Sequence, residues 1–580
     1  MISARTVACI TTTAGLCLLA ISGCDGGKSG GGAASTTAGV ASNHTATTAS
    51  PTSSAPSVPA PRTRAGQVVA RHGEGFLVVD QGRRILYTKG SAYQRGEQYG
   101  VLVGDQVEGL LRLLPAFLAQ QTSSLVGTIF PLVTPAAASL FDPYIDADAR
   151  EEMRGIVAGM RLRNPSSQIR ESDLVFLNSF IDLCAVLNLG SLKCSSLAVW
   201  GPITEGGKLF QTRCIDLVVG TGLEQFALVT IAKPDGGVPY LNPSYAGMIG
   251  CPSGLNAHGL GVGQVWAFSN DRGFGRPWIL ITRELMATGV SAEDGVRLME
   301  TAQRTYGSNF VFADRGDARG GVPDARAIEV SLNHTASFGP DDPKEDLARW
   351  GGQPYAYRVP YAVFRGDCCL DPLLRSLQTA SNGPTGDPRA ASAYRNRYEG
   401  QATRILAHVN AGHPIGRDDV IQITKEVAMR RSSLQCCVYE NTDLEVWVAN
   451  ARVDPQGAVI YAYDEPYHSY SLDYATPTAT AVPDATSFPP GHTLRVAVPV
   501  ETLGRARHLD VEVSLVDAAG HTHLLGVEAL VLPERGQATA ALQVAVPAGA
   551  SAGQARLVVD LLEAGTRDLV DVSEVAVTVQ

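Results

Sequence analysis

The 580-residue sequence predicts an α+β chain that ends in an all-β sandwich. Three observations carry that expectation. Residues 66–192 mix short strand-like runs with stretches whose apolar positions recur at helical spacing. From Cys194 to about residue 470, short strand-like runs alternate with Gly-rich turns and are interrupted by two helical regions. This is the pattern of layered α and β around an antiparallel sheet. From residue 493, alternating runs return every 10–15 residues or so, near the interval of a sandwich.

The first element reads as an address. Arg5 supplies a positive start, an apolar stretch follows to Ile21, and Ile21-Ser22-Gly23-Cys24 sets small residues before a cysteine. This is the pattern of a bacterial lipobox: residues 1–23 are a signal, and the Cys24 thiol takes a lipid. The stretch is short and broken by Thr11-Thr12-Thr13, so it makes a poor spanning helix. Residues 24–65 are mostly Gly, Ser, Thr, Ala and Pro, and read as a disordered tether. Gly27-Lys28-Ser29-Gly30-Gly31 matches G-x-S-x-G by letter only, because that motif needs a strand before it and a helix after it. The expected location is the bacterial cell envelope, outside the cytoplasm, held by the lipid alone.

Residues 66–193 carry mixed strand and helix signals. Strands are expected at 68–79 and 84–88, and a helix at 93–114 that Pro115 should end or kink. Further helices are expected at 146–162, capped by Asp146, and at 171–187. In the main body, 194–470, strands are expected at 197–199, 209–213, 226–232, 260–268, 310–312 and 444–448. Helices are expected there at 278–286, 292–302, 395–409 and 418–429. Residues 471–490, rich in Pro, Ala and Thr, read as a linker. Residues 491–580 carry the sandwich, with strands at 494–500, 509–516, 523–532, 539–546, 555–562 and 569–579. That segment has no Cys and no cluster of reactive residues, so it reads as an accessory module, open to surface or glycan contact.

Composition narrows the function. Apolar residues are 45% and charged residues 18%, as in a globular chain. The net charge of −10 gives nucleic acid no electrostatic footing. Only seven of the 47 basic residues are Lys, and the Arg excess is dispersed. No cofactor and no metal are expected. His408 with His413, and His521 with His523, lack a third ligand. The vicinal pairs Cys368-Cys369 and Cys436-Cys437 lack the usual zinc spacing. Outside the cytoplasm those pairs read as a disulfide between them, or as buried small apolar residues. Gly259-Leu260-Gly261-Val262-Gly263 lacks the nucleotide-binding spacing and reads as a turn feeding a strand.

Cys194 stands out by its neighbours. It opens the β-rich part, and Arg213 and Asp216 follow at the end of the next expected strand. A turn around Gly206-Gly207 would make a hairpin and return both beside Cys194. A cation there lowers a thiol pKa, and a carboxylate orients or takes a proton. The alternative from spacing alone is a buried structural Cys near a surface ion pair.

Residues 194–216, CSSLAVWGPITEGGKLFQTRCID, bring in a resemblance. Supporting pieces are Lys89-Gly90-Ser91 with Gly96 and Gly100, SGLNAHGLGVG (253–263), AVFRGDCCLDP (362–372), YRNRYEG (394–400) and LEVWVANAR (444–452). Over roughly residues 85–465 the chain resembles the autoproteolytic cysteine acyltransferases and hydrolases typified by isopenicillin N acyltransferase. Bile-salt hydrolases and acid-ceramidase-like amidases are more distant relatives. These are N-terminal nucleophile hydrolases, so the resemblance implies a four-layer αββα fold. It implies that Cys194 is the nucleophile, freed by a cut between Lys193 and Cys194. Arg213 and Asp216 would bind and orient the thiol and its amine, and Arg397, with Arg395 close by, would line the pocket. The substrate would be a small amide or acyl compound.

One departure stands out. Where the family carries Asn-His after Arg-Thr, this chain has Arg365-Gly366-Asp367-Cys368. The family Asn donates to the oxyanion, and an ionised Asp367 cannot. Asp367 is then protonated, or another donor such as Asn333 or a backbone N–H replaces it, or turnover has been lost. Two functions stay open: a self-processing cysteine amidohydrolase or acyltransferase, and a catalytically impaired surface lipoprotein that uses the same fold for binding.

Overall fold

The computed structural model describes residues 64–121, 136–187, 193–379, 386–391 and 394–580. The signal, Cys24, nearly all of the tether and the G-x-S-x-G lookalike lie outside the described residues. The architecture is mixed α/β.

The first sheet starts in the N-terminal segment, with β1 (Gln67–His72), β2 (Gly75–Asp80) and β3 (Arg83–Gly90). The main chain adds β6 (Ala227–Pro234), β7 (Tyr240–Tyr245), β8 (Ser253–Asn256), β9 (Gly261–Trp266), β10 (Ser308–Asp314), β11 (Asp324–Val330) and β12 (Thr335–Phe338). The order is β1-β2-β3-β6-β7-β8-β9-β10-β11-β12. Every pairing is antiparallel except β3 with β6, where the N-terminal segment meets the strands that follow Cys194. The second sheet runs β13 (Ala362–Arg365), β4 (Lys193–Val199), β5 (Phe210–Asp216), β14 (Ser433–Glu440), β15 (Glu445–Asn450) and β16 (His468–Ser471).

Side-chain alternation along the strands makes the layers. Leu77, Leu86, Leu228 and Val262 face outward, onto helices α1 (Ala92–Gln121), α2 (Ala147–Arg163), α3 (Glu171–Val186), α4 (Trp278–Thr288) and α5 (Ala292–Thr301). Phe76, Val78, Tyr87, Val229 and Ile231 face inward, onto Tyr439, Val446 and Val448 of the second sheet. On the far side of that sheet, α6 (Gly400–Ala411) and α7 (Arg417–Val427) bury Ala402, Ile405, Val420 and Ile423.

Helix α2 starts as expected: Asp146 caps it by accepting from the Ala149 N–H at 2.8 Å. Helix α1 departs from expectation. It continues through Pro115, and its non-helical residue is Val103, at φ −136° and ψ 20°. The irregular turn falls within the stretch packed on α2, where four glycines bring the backbones together. A Cβ on Gly96 or Gly100 would lie 2.0–2.1 Å from a carbonyl of α2, and one on Gly155 or Gly159 would lie 2.2 Å from a carbonyl of α1.

The expected linker is also corrected. Thr478–Ala479 and Val482–Pro483 pair with Thr493–Glu501, and Ser487–Phe488 pairs in parallel with the end of Leu569–Val579. Ala479, Ala481 and Phe488 are buried, so small apolar residues in a Pro- and Thr-rich segment supply strand pairs that composition conceals. The remaining C-terminal strands are Arg507–Val516, Thr522–Leu532, Gln537–Ala545 and Gly553–Glu563. They complete a four-stranded and a five-stranded sheet, which share a core including Val496, Val498, Leu509, Val511, Leu557 and Val559. Two buried lysines fasten this module to the first sheet. Lys89 Nζ and Lys233 Nζ donate to the two oxygens of Asp571, at 2.9 and 2.8 Å.

Candidate active site

The hairpin forms as its sequence predicts. Strands β4 and β5 are antiparallel neighbours, with Lys193 opposite Asp216, Cys194 opposite Ile215 and Ser196 opposite Arg213. Cys194 is buried, and so are Arg213 and Asp216. The two sheets approach closely at this point. A Cβ on Gly263 of β9 would lie 2.0 Å from the Ser196 hydroxyl, so only glycine fits.

Arg213 is 1% exposed. Its guanidinium donates to the Gln264 carbonyl (3.2 Å), to Gln264 Oε1 (3.3 Å) and to Ser253 Oγ (3.3 Å). The fourth contact runs from Nη2 to Cys194 Sγ, at 3.8 Å. These oxygens are neutral, and no carboxylate pairs with Arg213 among the described residues. A buried charge without a counter-ion is costly, so the group that gains most from this cation is a thiolate on Cys194. Burial pushes the Cys194 thiol up to about 11, and Arg213 pulls it back. Cys194 therefore rests as a thiol, with Arg213, the charge that would stabilise its anion, 3.8 Å away.

A second cluster holds the Cys194 backbone. The Cys194 N–H donates to Asp367 Oδ1 at 3.0 Å. Arg397 donates from Nη1 to Asp367 Oδ2 (3.0 Å) and from Nε to Asp216 Oδ2 (3.3 Å). The Met429 N–H completes Asp216 at 3.1 Å. Burial raises Asp216 to about 6 and also raises Asp367, while Arg397 pulls both down. Asp367 thus stands as an acceptor at the nitrogen of the proposed nucleophile and not as a donor to an oxyanion.

Local structure explains these positions. Arg397 sits in a π-helical turn, Tyr394–Glu399, that leads into α6. The wide turn buries Arg397 and leaves Arg395 exposed, which separates two candidates that sequence could not. The Asp367 loop is pinned at both ends by Glu329. One Glu329 oxygen lies 2.9 Å from Arg365 Nε, and its carboxylate accepts from the Leu370 and Asp371 N–H groups. Gln378 Nε2 donates to the Asp367 carbonyl at 2.9 Å.

Asn333 is a correction. It lies in the exposed turn between β11 and β12, and its side chain donates to Asp271 Oδ1 at 2.7 Å. It makes no contact with Cys194 among the described residues, because its amide is engaged at the sheet margin. Gln264, Ser253, Glu329 and Gln378 were missed. Gln264 and Glu329 carried a usable signal: each is a polar residue within an apolar strand, in GVGQVW and ARAIEV.

Of the two readings of the cysteine pairs, burial holds and the disulfide between them does not. Cys368, Cys369, Cys436 and Cys437 are buried and free, and no disulfide joins the two pairs. Cys436 instead faces Cys214. No group of three or more metal-ligating side chains occurs among the described residues, and no helix among them is long and apolar enough to cross a membrane.

No protein-family model matches the chain. An uncharacterized protein of Archaeoglobus fulgidus is 22% identical over 282 residues, which is 45% of this chain. The match spans 46% of that relative's length. Among solved structures, the N-acylethanolamine-hydrolyzing acid amidase ortholog of Caenorhabditis elegans aligns at 10% identity and a TM-score of 0.30, over 43% of this chain and 93% of its own. A mutant of the conjugated bile acid hydrolase from Clostridium perfringens aligns at 12% identity and a TM-score of 0.27, over 48% and 96%. A CARDB domain from Pyrococcus furiosus aligns at 15% identity and a TM-score of 0.14, over 18% and 86%.

Proposed function

We propose that the chain is a self-processing cysteine amidohydrolase or acyltransferase of the N-terminal nucleophile kind. The observation that carries the reading is the pairing of two devices on one residue: an uncompensated Arg213 at the Cys194 sulfur, and an Asp367–Arg397–Asp216 cluster at the Cys194 nitrogen. A structural cysteine needs neither.

In this reading Cys194 Sγ adds to the Lys193 carbonyl. The thiol proton passes to the departing Cys194 nitrogen, and the Lys193–Cys194 amide becomes a thioester. Water then releases the leader. The free α-amine has an ordinary pKa of about 7.7–8.0, fit for a general base near neutrality. Asp367 alone would hold that amine as ammonium, and Arg397 offsets the pull by sharing the carboxylate. The same thiol then takes the acyl group of a small amide, and water or an amine accepts it. The C-terminal module is an accessory β-sandwich, open to surface or glycan contact. The mature chain is anchored in the cell envelope through a lipid on Cys24, which mass measurement of the N-terminal peptide checks.

Trapping tests the chemistry. Wild-type protein mixed with a panel of N-acyl amides and quenched in acid should show an acyl mass adduct on the Cys194 peptide, absent in Cys194→Ser. Hydrolysis that persists undiminished in Cys194→Ala would contradict it. The reading of a binding module alone predicts an uncut chain with no adduct.

A further inference from the structure

Cys214 and Cys436 stand outside the site described above. They occupy directly opposed positions on β5 and β14, and their sulfurs are 2.9 Å apart. Among the described residues no other two thiols come within hydrogen-bonding range of each other. Alternation along β5 sends Arg213 to the inner face, toward β9, and Cys214 to the outer one. There both cysteines are buried with Ala428, Ala449, Ala462 and Tyr463, beneath α7. Tyr467 packs against the same cluster beside Cys436. Cys214 Sγ lies 4.0 Å from the Thr424 carbonyl, and Cys436 Sγ lies 3.4 Å from Ser433 Oγ.

The register meets the Cα-separation requirement for a bond. Opposed residues of antiparallel strands have Cα atoms about 4.5–5.5 Å apart, inside the roughly 4.4–6.8 Å span of disulfides. We propose that Cys214 and Cys436 form a dithiol–disulfide pair, a cross-strand oxidation site that fastens β5 to β14.

The oxidant is a small-molecule disulfide of the glutathione class. One cysteine, as thiolate, attacks a sulfur of that disulfide and releases one thiol. The second cysteine attacks the mixed disulfide and releases the other. The protein loses two protons and two electrons, and the oxidant becomes two thiols. Burial places the exchange during folding, or during local opening of the strands. The bond closes a loop between residues 222 apart, so it constrains the unfolded chain strongly. It also fixes the strand that carries both Arg213 and Asp216. The proposal does not depend on the activity proposed for Cys194.

Peptide mapping tests it. The full chain is unfolded, refolded in glutathione disulfide with glutathione, quenched in acid, alkylated while unfolded, and digested. The expected result is a linked peptide pair joining Cys214 to Cys436, with Cys368 and Cys437 alkylated, and full alkylation of all four after dithiothreitol. Oxidised wild type should also show a higher urea midpoint than reduced wild type, a rise that Cys214→Ser lacks. Equal alkylation of Cys214, Cys436, Cys368 and Cys437 after oxidative refolding would overturn the proposal, as would a bond from Cys436 to any other cysteine. Should Cys214→Ser fail to fold, the wild-type map alone decides.

Discussion

At the scale of single residues, the site turns on Asp367. Its carboxylate accepts from the Cys194 N–H and pairs with Arg397. Replacing one charged partner of such a bond costs about 1.5–3 kcal/mol, roughly 10- to 100-fold in rate. Asp367→Asn should therefore slow processing by that factor in a time course on denaturing gels. A large gain would instead mark a weakened natural site. A second residue gives a pH signature. Burial raises Asp182 to about 7 from an ordinary 3.8, against hydrogen bonds from Thr305 and the Trp278 N–H. Between those values the folded chain keeps a proton that the unfolded chain gives up, so stability falls as pH rises from about 4 to 7. Asp182→Asn should flatten that part of the urea-midpoint profile relative to wild type. An unchanged slope would show that Asp182 ionises freely.

At the scale of elements, the hairpin was legible in the sequence because alternation and a Gly-Gly turn are local signals. The choice of Arg397 over Arg395 was not, because it depends on a π-helical turn that no local pattern announces. The role of Asp367 was half legible. Its charge was visible, but its partner, the Cys194 N–H, is 173 residues away in sequence. Pro115 misled for the opposite reason. A proline argues for a break at its own position, while the irregular turn fell at Val103. The contact of α1 with α2 is testable directly. Gly159→Ala places a methyl 2.2 Å from the Glu97 carbonyl, so the helices must move apart. Overpacking of this kind costs about 1–3 kcal/mol. A lowered melting temperature checks it, and an unchanged one would mean that the helices separate freely.

At the scale of the whole molecule, the N-terminal segment is built into the first sheet, and the C-terminal module is fastened at its margin. The N-terminal segment supplies β1 to β3, so a cut at Lys193 would leave two chains sharing one sheet. Composition had marked 471–490 as a linker because it counts prolines and not strand partners. Asp571 joins the module to the sheet by neutralising Lys89 and Lys233. Asp571→Ala would leave the buried Lys233 ammonium without a carboxylate and Lys89 with only Glu74, 3.8 Å away, a loss of about 3–5 kcal/mol that urea unfolding should show. In the proposed function, Cys194 cuts its own chain and then acts from the new N-terminus. N-terminal sequencing of the purified full-length product tests it most directly. The wild type should give two fragments, the larger beginning Cys194-Ser195-Ser196, and Cys194→Ala one uncut chain. An uncut wild type, or a cut that survives Cys194→Ala, would contradict it.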